Sequence, residues 1–143
     1  MASTSFDSIW TLRALGLLRI AAAYMFLLHG TAKVFAVPHV PMFDGLPLLS
    51  FYGAVGVFEV AFGLLLLVGL LSRLSAFLLS GQMAVAYFIG HAVQGNALVP
   101  MLNGGEPAAL FSFIFLLIAA AGPGAWALDR IRWPAGGVKL QTQ

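Results

Sequence analysis

Long apolar runs, broken at intervals by single polar residues, dominate this chain. Four of them have spanning length: about 13–35, 50–71, 73–94 and 107–128. Each is about 22 residues, roughly 33 Å of helix, against a hydrocarbon core of ~30 Å. The runs are continuous and rich in Leu and Ala, without the strict alternation of a barrel strand. They predict an all-α membrane fold, a four-transmembrane-helix antiparallel bundle with a short N-terminal segment (1–12) and a polar C-terminal tail (131–143). Pro38, Pro41 and Pro47 make 36–50 an irregular interfacial loop. A tight turn at Ser72 and Arg73 makes helices two and three antiparallel neighbours. Pro107 suits the first turn of helix four, and Glu106 beside it complements the positive end of that helix. No internal repeat is visible.

The polar residues fall on helical stripes. Arg19, Ala22, Phe26, His29 and Lys33 follow spacings of three, four, three and four, the helical period. In helix two, Tyr52, Gly56, Glu59 and Gly63 share a register, and in helix three Ser80, Ala84, Tyr87 and His91 do so. Small residues beside a carboxylate let another helix backbone approach. Ionisable groups inside a bilayer are costly and face protein, water or each other. The three stripes are therefore expected to converge on the bundle axis.

Composition sharpens the class. Hydrophobic residues make up 61% and charged residues 8%, against roughly 25% charged in soluble domains. There is no cysteine, which excludes disulfides, thiolate metal sites and an intrinsic dithiol relay. Seven Lys and Arg residues do not signal nucleic acid; they signal topology. Arg13, Arg19, Arg73, Arg130, Arg132 and Lys139 lie at one side and only Lys33 at the other. The positive-inside rule then puts both termini in the cytoplasm and the two longer loops in the periplasm, with Trp10, Trp126 and Trp133 as an aromatic belt. The expected location is a bacterial inner membrane. Arg13 and the run after it look like the start of a signal peptide. Lys33 in the would-be cleavage region, with Arg19 and His29 interrupting the run, argues for a retained helix.

With that topology His29, Lys33, Glu59, His91, Asn103 and Glu106 all fall in the outer half. Glu59 is roughly 13 Å deep, near the level of His29. Each residue also has a structural reading. Glu59 paired with Lys33 or His29 can simply lock helix packing. Arg19 can snorkel to the cytoplasmic interface and Lys33 outward. His91 can be an interfacial histidine, and Asp129 with Arg130 and Arg132 an interface anchor. No His-x-x-Glu or His-x-x-x-His spacing supports a metal. Haem between His29 and His91 is disfavoured by their difference in depth. The 103–106 loop lacks the Lys and Ser/Thr of a phosphate loop.

Arg19, His29-Gly30, Lys33, Gly56, Glu59, Gly63, Gly69, Arg73, His91, the Asn103-Gly104-Gly105-Glu106 loop, Gly122-Pro123-Gly124 and Leu128-Asp129 occur in order over about residues 13–130. In this arrangement the chain resembles the DoxX family of small four-helix bacterial membrane proteins. It departs in having Trp126-Ala127 where the family often places a Ser before Leu-Asp. The resemblance implies the bundle. Through relatives named DoxD, subunits of thiosulfate:quinone oxidoreductase, it also implies a link to membrane redox chemistry.

These readings lead to a quinone-linked redox protein or subunit. His29 or His91 donates to a quinone carbonyl, Lys33 stabilises negative charge and Glu59 carries protons. Phe26, Tyr52 and Tyr87 pack on the ring, and Asn103 and Glu106 border the site. Electrons then come from a partner oxidoreductase subunit or a soluble reductant. Two other classes fit the same residues. One is a small-solute binding or proton-coupled transport protein, with homo-oligomerisation supplying the pathway. The other is a non-catalytic scaffold for an oxidoreductase complex.

Overall fold

A computed structural model of the chain describes residues 9–132. Expectations for Trp133, Lys139, the first eight residues and the tail after Arg132 lie outside the described residues.

The chain forms α1 (Ile9–Phe35), α2 (Phe51–Val68), α3 (Ser72–Ala86), a one-turn α4 (Pro100–Asn103), α5 (Glu106–Ala121) and a short α6 (Leu128–Arg132). A π turn, Tyr87–His91, and a 3-10 turn, Ala92–Gln94, prolong α3. Among the described residues, three helical segments are long and apolar enough to cross a membrane: 9–35, 51–68 and 72–94. The fold is all-helical, as the hydropathy predicts. The four long helices run alternately up and down, α1 packed along α2 and α3 along α5. Phe26 of α1 meets Phe115 of α5 edge-on at 5.1 Å and joins the two pairs, within a core that includes Ala23, Leu66, Leu79 and Ile118. Ser80 and Ser112 each donate a hydroxyl to the other's carbonyl, tying α3 to α5.

Helix four is shorter than the hydropathy suggests, 106–121 instead of 107–128. Gly122 (φ +101°) and Gly124 (φ +71°) flank Pro123, and proline cannot continue a helix. Apolar Ala125, Trp126 and Ala127 hide this break from a hydropathy reading. The segment instead folds back over the start of α1, where the Ala125 N–H donates to Leu12 O at 2.7 Å.

Two arginines close helix C-termini at this end, where orphan carbonyls and the negative end of the helix dipole attract cations. Arg19 is fully buried. Its Nε donates to Pro123 O, Nη1 to Leu66 O and Leu67 O, and Nη2 to Ala125 O and Trp126 O, at 2.7 to 3.2 Å. A guanidinium has five N–H donors, and all five are used. Arg19 does not snorkel to the interface, the alternative to its place on the inward stripe: ten residues into α1 it meets the end of α2. Arg73 does the same for α5, donating to Ala119 O and Ala120 O. Between them the chain reverses at Gly69 (φ +73°), where a Cβ would lie 2.6 Å from Ala127.

Asp129 is not a free interface anchor either. Its carboxylate accepts from the Leu71 and Ser72 amides, both at 2.8 Å, and so caps α3 from across the chain. Burial works against its ionisation, but the hydrogen bonds from Ser72 and Leu71 and the charge of Arg19 outweigh it, so its carboxyl lies below the ordinary range. A depressed carboxyl adds stability that is fully present above the ordinary carboxylate pKa and is lost as pH falls through the folded value. Asp129→Asn is expected to cost about 0.5–1 kcal/mol near neutrality, the low end for a cap because the site is partly exposed. Thermal melts from pH 7 to 3 check this: the gap between wild type and variant should close below about pH 4.

Candidate functional site

At the other end of the bundle, α1, α2, α3 and α5 enclose a cavity of about 270 Å³. Its polar lining comes from His29, Lys33, Glu59 and His91, and its apolar lining includes Phe26, Met83, Ala86 and Phe111.

The cavity rests on close contact between α1 and α2. A Cβ at Gly30 would stand 2.9 Å from the Val60 backbone nitrogen, and one at Gly56 2.8 Å from the Lys33 Cβ. This approach sets Lys33 against Glu59, with Nζ 2.7 Å from both carboxylate oxygens. Glu59 is 1% exposed and the Lys33 side chain 12%. The 3-10 turn Pro41–Phe43 covers the pair from outside, with the Phe43 ring centroid 5.6 Å from Nζ. Gln82 Nε2 donates to Glu59 Oε1 at 2.7 Å from α3. Sequence reasoning missed Gln82, because it lies off the stripe that joins Ser80 to His91. Its signal was its type: a primary amide in the middle of an apolar run.

His91 reaches the cavity through the π turn. Met83 and Ala86 line the same wall, and in an unbroken α-helix Gly90 would follow them on that face. The π turn adds one residue and brings His91 round instead. Its Nδ1 is 3.1 Å from Asn103 O. A carbonyl only accepts, so Nδ1 carries the proton, and in the neutral ring Nε2 keeps its lone pair. His29 lines the cavity with its ring centroid 6.4 Å from Phe26. Its ring makes no hydrogen bond to any described residue.

The remaining expected residues lie elsewhere. Tyr52 is 60% exposed and packs edge-on against Phe51, one turn beyond the contact with α1. Glu106 is exposed at the first turn of α5. Tyr87 is buried behind the cavity wall, and its hydroxyl donates to Ala97 O. Asn103 holds the 95–105 loop, its amide nitrogen donating to the Tyr87 hydroxyl and to Asn96 O, and its side-chain oxygen accepting from the Gly105 N–H. Tyr87 and Asn103 thus build the roof that orients His91. Phe26, His29, Lys33, Glu59 and His91 are the residues that the fold brings together.

The DoxX family model matches residues 14–92, more than half of the chain, and this stretch carries every one of those five. The chain belongs to the DoxX family. A protein of Haemophilus influenzae described as uncharacterized is similar to this DoxX chain, 46% identical over 121 residues that cover 80% of the chain and 87% of that protein. No solved structure matches. As a DoxX membrane protein it sits in a lipid bilayer, with the cavity at the end where α1 and α3 finish and α2 and α5 begin. Among the described residues, no three His, Cys, Asp or Glu side chains cluster as a metal site.

Proposed function

We propose that this cavity receives the headgroup of a quinone and that the protein works in quinone-linked redox chemistry, alone or as a membrane subunit. One observation carries the reading: two imidazoles, a carboxylate and an ammonium meet beside Phe26 and Phe111 in a pocket otherwise apolar. A quinone supplies two-electron chemistry coupled to two protons. At about 270 Å³ the cavity is near the low end for small-molecule sites, the scale of one ring and not of a porphyrin macrocycle. The Nε2 lone pair of His91 accepts a hydrogen bond or a proton from a ring hydroxyl. Glu59 takes up or releases a proton, and its protonation frees Lys33 to stabilise negative charge at a ring oxygen. The Lys33–Glu59 pair leaves no net positive charge to draw in an anionic solute, which disfavours anion capture and transport.

The same reading places the cavity on the periplasmic side of a bacterial inner membrane. Among the described residues Arg13, Arg19, Arg73, Arg130 and Arg132 lie at the opposite end, with only Lys33 at the cavity end, the bias that the positive-inside rule associates with cytoplasmic termini. The full chain, purified in mild detergent, is expected to bind a short-tailed benzoquinone or its quinol. His91→Ala should weaken that binding about tenfold, the worth of one hydrogen bond. No binding of either form to folded wild-type protein would exclude the reading.

A further inference from the structure

At the end of the bundle opposite the polar cavity, a pocket of about 520 Å³ lies between the first turn of α1, the start of α3, the end of α5 and α6. Arg73, Arg130 and Asp129 are its charged lining, and Leu12, Leu71 and Leu74 are among its apolar walls. Asp129 is occupied, since its two oxygens accept from the Leu71 and Ser72 amides. The arginines are not. Arg73 uses only Nη1, on Ala119 O and Ala120 O. That contact fixes the guanidinium, and Gly122 lets it lie flat on the backbone. A Cβ there would stand 3.1 Å from Nη2, 3.6 Å from Cζ and 3.7 Å from Nε, over the plane of the group and not beyond its edge. The Nε–Nη2 edge offers two parallel N–H groups to an oxyanion, and it donates to no described residue. Arg130 is exposed, and its side chain makes no hydrogen bond or ion pair with any described residue.

We propose that this pocket binds an anionic phospholipid, whose phosphate accepts from the free edge of Arg73 and from Arg130 and whose chains run along Leu71 and Leu74. The proposal does not rest on the quinone reading. Two cations against one satisfied carboxylate leave the pocket net positive. The turn between α2 and α3 lies where spanning helices end, at the level of the headgroups, and a bilayer holds phosphates there. Free phosphate brings the charge but nothing to cover Leu71 and Leu74, which are 44% and 52% exposed. A zwitterionic headgroup brings a cation of its own, which the net positive pocket repels. A phosphate shared by the two arginines also ties α6 to the α3–α5 pair.

The full chain, stripped of lipid in mild detergent, is melted with increasing dioleoylphosphatidylglycerol, dioleoylphosphatidylcholine or inorganic phosphate. A ligand of the folded state raises the melting temperature with its concentration. Phosphatidylglycerol is expected to bind about tenfold more tightly than either of the others, as one charge-assisted hydrogen bond requires. Arg130→Gln removes no contact within the fold, so it should melt with wild type in the absence of lipid and bind phosphatidylglycerol about tenfold more weakly. Arg73→Lys keeps the charge and a donor for the α5 carbonyls but loses the fork, and should weaken the lipid as well. Equal affinity for the two lipids, or phosphatidylglycerol binding unchanged in both variants, overturns the site. Inorganic phosphate binding as tightly as phosphatidylglycerol overturns the lipid as its occupant.

Discussion

Arg19→Leu is expected to give no folded protein. The substitution removes the Arg19 donors to the carbonyls of Leu66, Leu67, Pro123, Ala125 and Trp126, which are partly to fully buried around a guanidinium that is itself 0% exposed. An unsatisfied buried acceptor costs about 1–3 kcal/mol, so even three stranded together cost about 3–9 kcal/mol. That rivals a whole folding stability of about 5–15 kcal/mol. Arg19→Lys should fold but melt about 10 °C or more below wild type, because an ammonium has three donors and no planar fork. Arg73→Leu is the control. Its guanidinium is exposed and serves two carbonyls at the end of α5, so the loss there should be about 1 kcal/mol. Size-exclusion profiles and thermal melts in detergent read all three. A monodisperse Arg19→Leu protein that melts with wild type would remove Arg19 as the clasp between α2 and the 122–127 segment.

Much of this arrangement was legible in the sequence, for reasons the structure makes clear. Hydropathy finds the spans because lipid demands apolar surface whatever the packing. Helical period finds the inward stripe of α1, since Arg19, Ala22 and Phe26 are all buried. Period fails where the backbone leaves the α-helix. At the π turn it put Tyr87 and His91 on one inward face as equals, whereas Tyr87 lies behind the wall and His91 lines the cavity. Hydropathy fails where an apolar segment is not helical, as at Gly122 to Ala127. Charge alone did not show what Arg19 and Asp129 hold, because their partners are backbone groups more than 45 positions away. Backbone carbonyls and amides are present at every residue, so nothing in a sequence marks the ones that will be left open.

The Lys33–Glu59 pair separates stability from chemistry more cleanly than any single site. Breaking a buried pair by removing one partner costs about 3–5 kcal/mol, whereas replacing both by apolar groups is often neutral. The two single variants should not be equal here. In Glu59→Leu the ammonium that remains is 12% exposed beneath Phe43 and has a way outward. In Lys33→Met the carboxylate that remains is 1% exposed and keeps only Gln82. Lys33→Met should therefore be the less stable of the two, near the top of that range. The double variant Lys33→Met with Glu59→Leu should recover to within about 1 kcal/mol of wild type yet bind neither quinone nor quinol in the inner cavity. Gln82→Leu added to the double variant should raise stability further, since it removes the amide that Glu59→Leu leaves unpaired. Melting curves of the series, with binding measured on each folded member, decide the matter. If the two single losses simply add in the double variant, the groups do not act as a pair. A double variant that folds like wild type and still binds would make the pair a packing device and leave His29 and His91 to hold the ligand.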